Sequence, residues 1–220
     1  MKTLLNALLA GLALGFAGTV FLSVENKIVG SFLFGFGLFL ILCFQFKLYT
    51  GAVGYFATES RKVSYTLTLV LIWLGNLLGT GAFAFLIGET RVGGNLKLRA
   101  QELCDVKLAD TLLSVFILAI FCGILMYVAV ESFRRSELPA VFRALMVFLC
   151  VAIFILSGFE HCIANMFYFW LAEAPSRWIV PLLVMTLGNS VGGVLIPYAD
   201  MLRLVQNSTA QENTIQTLSE

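Results

Sequence analysis

Polar positions in this chain are sparse and gathered into short clusters. Between them, apolar residues run almost unbroken over 4–23, 28–46, 63–88, 111–130, 140–159 and 178–198. At 1.5 Å of rise per helical residue, each run is long enough to cross a hydrocarbon layer of about 30 Å, so the pattern predicts six membrane-spanning helices. The links are charged: Glu25-Asn26-Lys27, Glu59-Ser60-Arg61-Lys62, 89–110, 131–137 and 173–177. The opening Met1-Lys2-Thr3 and its apolar run resemble a secretory signal peptide, but the run is as long as a full span and reads as the first helix. The expected organisation is one six-helix membrane domain over 1–204 and a polar, disordered tail over 205–220.

Two of the runs are interrupted. Lys47-Leu48-Tyr49-Thr50-Gly51 follows Phe46 and leads into a short apolar stretch ending at Ala57. Glu160-His161-Cys162-Ile163-Ala164-Asn165 follows Phe159 and leads into another ending at Leu171. Unwound backbone is tolerated at membrane depth only where protein or a cavity meets its polar groups, so breaks in corresponding halves point to a transport site. The numbers of Phe46 and Phe159 differ by 113, as do those of Lys47 and Glu160. The run Leu74-Gly75-Asn76-x-x-Gly79 recurs at the same offset as Leu187-Gly188-Asn189-x-x-Gly192. A shared offset predicts a duplication, with pseudo-repeats about 4–89 and 108–202. Three spans per copy is odd, so the copies run in opposite directions: an all-α integral membrane fold, a 3+3 inverted repeat with broken second and fifth spans.

Composition agrees. Among 220 residues, 60% are hydrophobic and 12% charged, where soluble domains carry about 25% charge. That excludes a cytosolic enzyme, a secreted disulfide scaffold and a disordered regulator. A net charge of +1 gives no field for nucleic acid. Cys43, Cys122, Cys150 and Cys162 fall in apolar runs and Cys104 in a polar link; with an odd count and no C-x-x-C, they predict neither disulfides nor a metal site, and no cofactor is expected. Charge does not orient the chain. Lys2, Arg61, Lys62, Arg134, Arg135, Arg143 and Arg203 would share the side of the termini, and Lys27, Arg91, Lys97, Arg99, Lys107 and Arg177 the other. Seven against six decides nothing.

The run from Ser157 to Phe167, S-G-F-E-H-C-I-A-N-M-F, resembles the signature of the formate/nitrite transporter family. Leu48-Tyr49-Thr50-Gly51 is similar to that family's L-F-T-G loop, and the Gly-Asn motifs at 75–76 and 188–189 to those of its third and sixth spans. The resemblance implies an aquaporin-like protomer, a homopentamer with one pore per protomer, cytoplasmic termini, a prokaryotic inner or plasma membrane, and small weak-acid anions as cargo: formate, nitrite, hydrosulfide, lactate or acetate. It makes Thr50 the loop threonine, His161 the central histidine, Lys107 the vestibule lysine and Asn189 the sixth-span asparagine. It also places Phe34, Leu38 and Leu48 at one apolar constriction, and Phe154 with Met126 near the other. Lys47, Ala52 and Gly123 depart from its pattern; Gly123 stands for an asparagine, which implies one missing hydrogen-bonding group in the pore. The family's amphipathic N-terminal helix has no counterpart before the first span.

The residues themselves carry a chemical argument. Moving a bare carboxylate through a dry ring costs on the order of 20 kcal/mol by an idealised Born estimate, whereas a weak acid sheds its charge by taking up one proton. His161, the only histidine, lies mid-span, and an ionisable residue there is functional by default. Thr50 is expected to offer its hydroxyl to the substrate or to His161. Lys47 and Glu160, as equivalent residues of the two copies, are expected to pair near the pore centre. Two rivals are weaker. An aquaporin needs two N-P-A boxes, and the chain has none. An intramembrane hydrolase would use Ser157 with His161, yet no nucleophile motif frames that serine.

Overall fold

The protein is described by a computed structural model covering residues 1–174 and 176–219, with side chains to residue 203. Among the described residues it is all helical: α1 (Lys2–Ser23), α2 (Lys27–Cys43), α3 (Tyr49–Ala52) continued by a 3₁₀ turn (Val53–Phe56), α4 (Lys62–Gly88), α5 (Gly93–Ala109), α6 (Leu112–Arg134), α7 (Ala140–Leu156), α8 (Cys162–Leu171) and α9 (Ile179–Ser219). Four stretches, α1, α4, α6 and Ser176–Arg203, are each long and apolar enough to cross a membrane. α2 and α7, at 17 residues apiece, rise about 25 Å and stop short of a full span.

Both stop for the same reason. Past Cys43, Gln45 turns into the left-handed region at φ 56°, and past Leu156, Gly158 does so at φ 72°. Phe46 N–H then donates to Ile41 O and Gln45 N–H to Leu42 O; Phe159 N–H donates to Phe154 O and Gly158 N–H to Ile155 O. These are paired six-to-one and five-to-two bonds that close a helix C-terminus. The sequence ran both apolar stretches on to Phe46 and Phe159, because the phenylalanines after each turn read as helix.

The break itself is held by two asparagines with no exposed surface. Asn76 Oδ1 accepts from Tyr49 N–H (2.9 Å), and its Nδ2 donates to Ala7 O (2.8 Å) and Lys47 O (2.9 Å). Asn189 Oδ1 accepts from Cys162 N–H (2.8 Å), and its Nδ2 donates to Ala119 O (2.7 Å) and Glu160 O (2.8 Å). Lys47 N–H further donates to Asn6 O, and Glu160 N–H to Leu118 O. Each bond of one half has its mate in the other. The breaks and the asparagines keep the offset seen in the sequence, and the receiving positions on α1 and α6 differ from it by a single place.

Glycines let those helices close up. A Cβ on Gly79 would lie 2.2 Å from Leu8 O, and one on Gly192 1.9 Å from Ile120 O. Gly123 is of this kind: a Cβ there would meet Asn189 O at 2.3 Å. The position packs against the backbone of α9. Trp73 Nε1 donates to Thr186 Oγ1 (3.1 Å) and joins the halves at equivalent residues.

Two further expectations are corrected. The link 89–110 contains α5, whose small and apolar residues Gly93, Leu96, Ala100 and Cys104 make a buried stripe at helical spacing. Cys104 is thus buried, and burial pushes its thiol up to about 12, whereas Cys43 is exposed. The backbone of α9 runs helical to Ser219, with no Gly or Pro after Pro197.

Two outcomes test this frame. Asn76→Ala and Asn189→Ala each strand one N–H and two carbonyls, at about 1–3 kcal/mol per buried group; both should sharply lower thermal stability in detergent, by similar amounts. Gln45→Gly should stabilise by about 1 kcal/mol, and Gly158→Ala should destabilise by about as much, because only glycine occupies the left-handed region without strain. Calorimetry or a thiol-reactive melting assay reads both.

Candidate functional site

The two breaks bring their first polar residues together. Thr50 sits in the first turn of α3 and His161 caps the N-terminus of α8, with 1% and 2% of their surfaces exposed. His161 Nδ1 accepts the Ala164 N–H at 3.1 Å, so the proton of the neutral ring resides on Nε2. Nε2 lies 3.0 Å from Thr50 Oγ1. The ring therefore donates to the threonine oxygen, which leaves the Thr50 hydroxyl hydrogen to be directed elsewhere. Among the described residues Thr50 has no hydrogen bond back to its own helix, the usual fate of an intramembrane threonine.

Aromatic rings cover this pair. Phe154 stacks on His161 with centroids 5.5 Å apart, and Phe34 meets Phe154 edge-on at 6.2 Å. Phe34 thus joins Phe154, not Leu38 and Leu48 as the resemblance had it. Leu38 and Leu48 both line a cavity of about 660 Å³, together with Gly51 and Ala52, which follow Thr50. Met126 is fully buried on α6. Apolar side chains therefore flank a single polar pair.

Glu160, next to His161, faces away from Lys47. Its Oε2 accepts from Lys107 Nζ at 2.6 Å and from Asn165 Nδ2 at 2.7 Å. The expected Lys47–Glu160 pair does not form, because helical α5 carries Lys107 over the break in α7–α8 and supplies the counter-charge there. Lys47 is instead exposed, lining the large cavity with Arg134 and Arg143. Lys107 is correspondingly no free vestibule cation: it is mostly buried and neutralised. The rest of α5 is clipped down by Lys97, whose Nζ meets Glu173 Oε1 at 2.6 Å; that partner raises the lysine above its ordinary range. Asn189 holds the fold, since its amide is spent on backbone. Ser157, the hydrolase candidate, is exposed beyond the end of α7, and both His161 nitrogens already have other partners, so no base serves it.

Three participants escaped the sequence. Asn165 was quoted inside the signature without a role, although it bonds Glu160; its buried Oδ1 has no partner among the described residues. Arg134 and Arg143 were counted only as loop charges, because nothing local places them on a cavity wall.

The chain is similar to known membrane transport proteins. A family model described as formate/nitrite transporter matches residues 1–199. The formate channel FocA of Haemophilus influenzae is 26% identical over 203 residues, covering 77% of this chain and 71% of that protein. The nitrite transporter NirC of Escherichia coli is 29% identical over 189 residues, covering 79% and 69%. A solved pentameric formate channel with formate bound superposes with a TM-score of 0.79 at 29% identity, over 93% of this chain and 97% of that one. An ion channel of the same family, at 23% identity and a TM-score of 0.80, shows the shared fold.

The buried pair yields a prediction. Lys107→Met leaves the Glu160 carboxylate buried without its cation and should cost about 3–5 kcal/mol. Adding Glu160→Gln should recover at least half of that loss. A double-mutant cycle on melting in detergent measures it, and additive losses would mean the two side chains do not interact.

Proposed function

Because the chain belongs to the formate/nitrite transporter family, a membrane transport family, we propose that it carries small monovalent anions of weak acids. The cargo is of the formate or nitrite type, with hydrosulfide, lactate and acetate as neighbouring candidates, and passes through a pore in each protomer of a homopentamer. FocA and NirC are described as a formate channel and a nitrite transporter, and the solved relative as pentameric; these support the cargo class and the assembly. In this reading the domain over 1–204 is a six-crossing inverted repeat, which the hydrogen bonds matched between the two halves support. The termini are cytoplasmic and the membrane is the cell membrane.

One observation carries the mechanism: a hydrogen-bonded His161–Thr50 pair enclosed by apolar side chains. An anion leaving a wet vestibule loses hydration as the surroundings become apolar, and this favours its protonated form. The neutral acid then crosses the Leu38 and Leu48 side and the Phe34 and Phe154 side without the Born penalty. The proton is taken from water of the entry vestibule and returned to water on the exit side, and the His161–Thr50 pair polarises the acid between the two. The Thr50 hydroxyl, polarised by the Nε2–H it accepts, is the donor that replaces lost water. A neutral-solute channel of aquaporin type is disfavoured by the missing N-P-A boxes.

His161→Asn is the sharp test. Asparagine keeps an acceptor for the Ala164 N–H, so α8 keeps its cap and the protein should fold and assemble. Swelling of proteoliposomes in formate and in nitrite, at pH 5 and pH 7, should lose most of its pH dependence. An unchanged pH profile would remove His161 from the proton step.

A further inference from the structure

The charges at the two ends of the bundle are arranged differently. α6, with 23 residues, spans about 34 Å and separates them. At its start, around α5, three cations meet carboxylates and Arg99 meets a carbonyl, while Lys27 and Arg91 are in no ion pair among the described residues. Lys107 meets Glu160 at 2.6 Å, Lys97 meets Glu173 at 2.6 Å, Arg177 meets Asp105 at 3.9 Å, and Arg99 donates to Leu22 O.

At its far end lies the cavity of about 660 Å³, and three cations line it: Lys47, Arg134 and Arg143. No carboxylate lines it, and none of the three has a carboxylate within ion-pair distance among the described residues. The nearby acid, Glu131, is engaged outside, with its Oε2 on the Tyr55 hydroxyl (2.8 Å) and its Oε1 toward Arg135 (3.7 Å). The arginines are held in place without charge. Arg134 lies 4.5 Å over the Tyr55 ring, and Arg143 donates to Phe133 O at 3.3 Å. Arg143 Nε is buried and has no partner among the described residues. Lys47 is exposed and lines the cavity beside Leu48.

We propose that Lys47, Arg134 and Arg143 form an anion-capture site for small monovalent oxyanions, so that anions presented on this side load the pore at lower concentration than those presented on the α5 side. The inference rests on the transport reading above and adds a direction to it. Three cations without a carboxylate partner among the described residues, in a concave, partly apolar cavity, focus their field and raise the local anion concentration within it. At the other end Lys27 and Arg91 line none of the cavities described, and Lys107, over the break, is neutralised by Glu160. Lys47 N–H donates to Asn6 O, which puts the cavity at the end where α1 begins. With cytoplasmic termini, it favours loading from inside the cell.

Uptake of labelled formate into right-side-out and inside-out vesicles from the same expressing cells tests this. Wild type should half-saturate at lower formate when the Lys47 face is outward. Lys47→Gln and Arg143→Gln should each raise that concentration roughly two- to fivefold on this face alone. Lys47→Arg should restore it, and high concentrations of an impermeant salt should erase the difference, since the screening length falls to a few ångströms. Equal half-saturation on both faces of the wild type, an equal effect of Lys47→Gln on both, or failure of Lys47→Arg to restore loading would overturn the capture site while leaving transport intact. If wild-type vesicles take up neither formate nor nitrite above vesicles lacking the protein, the transport reading fails and this inference with it.

Discussion

Breaking a helix inside an apolar environment exposes N–H and C=O groups that no lipid tail can satisfy, and each costs several kcal/mol if left alone. This chain meets that constraint with two carboxamides. Asn76 and Asn189 each supply one acceptor and two donors to a broken strand of backbone and to the helix behind it. Because the amide bridges two pieces of main chain, it fixes where the next half-helix starts. Thr50 and His161 face each other because those starts are fixed. The glycines at 79 and 192 belong to the same requirement, since the asparagines reach their partners only if the helix backbones touch.

The ionic pair over the break works differently. Lys107 and Glu160 sit where neither charge is well hydrated, and their mutual attraction with the Asn165 bond makes the site tolerable without supplying much net stability. Its effect is local neutrality beside His161. At the opposite end Lys47, Arg134 and Arg143 line one cavity with no carboxylate partner among the described residues, so matched backbone hydrogen bonds in the two halves do not carry matched charges.

The sequence made much of this legible and concealed the rest for identifiable reasons. Apolar runs located the spans, and the shared offset located both breaks, because these depend on composition and spacing. Helix ends were misplaced at Phe44–Phe46 and Ser157–Phe159, where the turn is made by backbone φ at Gln45 and Gly158 and the side chains stay apolar. α5 was hidden by its polarity, since only one stripe is buried. Equivalence of Lys47 and Glu160 was read as proximity. Residues related by the repeat touch only near its axis, as Trp73 and Thr186 do, and these two point to opposite ends. The Thr50–His161 contact was anticipated from chemistry, whereas the cavity arginines come from helix ends distant in sequence and left no local sign.

The relation between the halves bears on the polar pair itself. Residue 50 corresponds to residue 163, and residue 161 to residue 48, so the counterpart of Thr50–His161 is Ile163–Leu48. Each half thus has one hydrogen-bonding and one hydrocarbon side chain at these places, Thr50 with Leu48 in the first and His161 with Ile163 in the second. Had all four been polar, two such pairs would face a common passage and could support an unbroken file of water, along which protons would leak freely. With one polar and one apolar residue from each half-helix, the two breaks together present a single hydrogen-bonded contact, and the contact related to it is hydrocarbon.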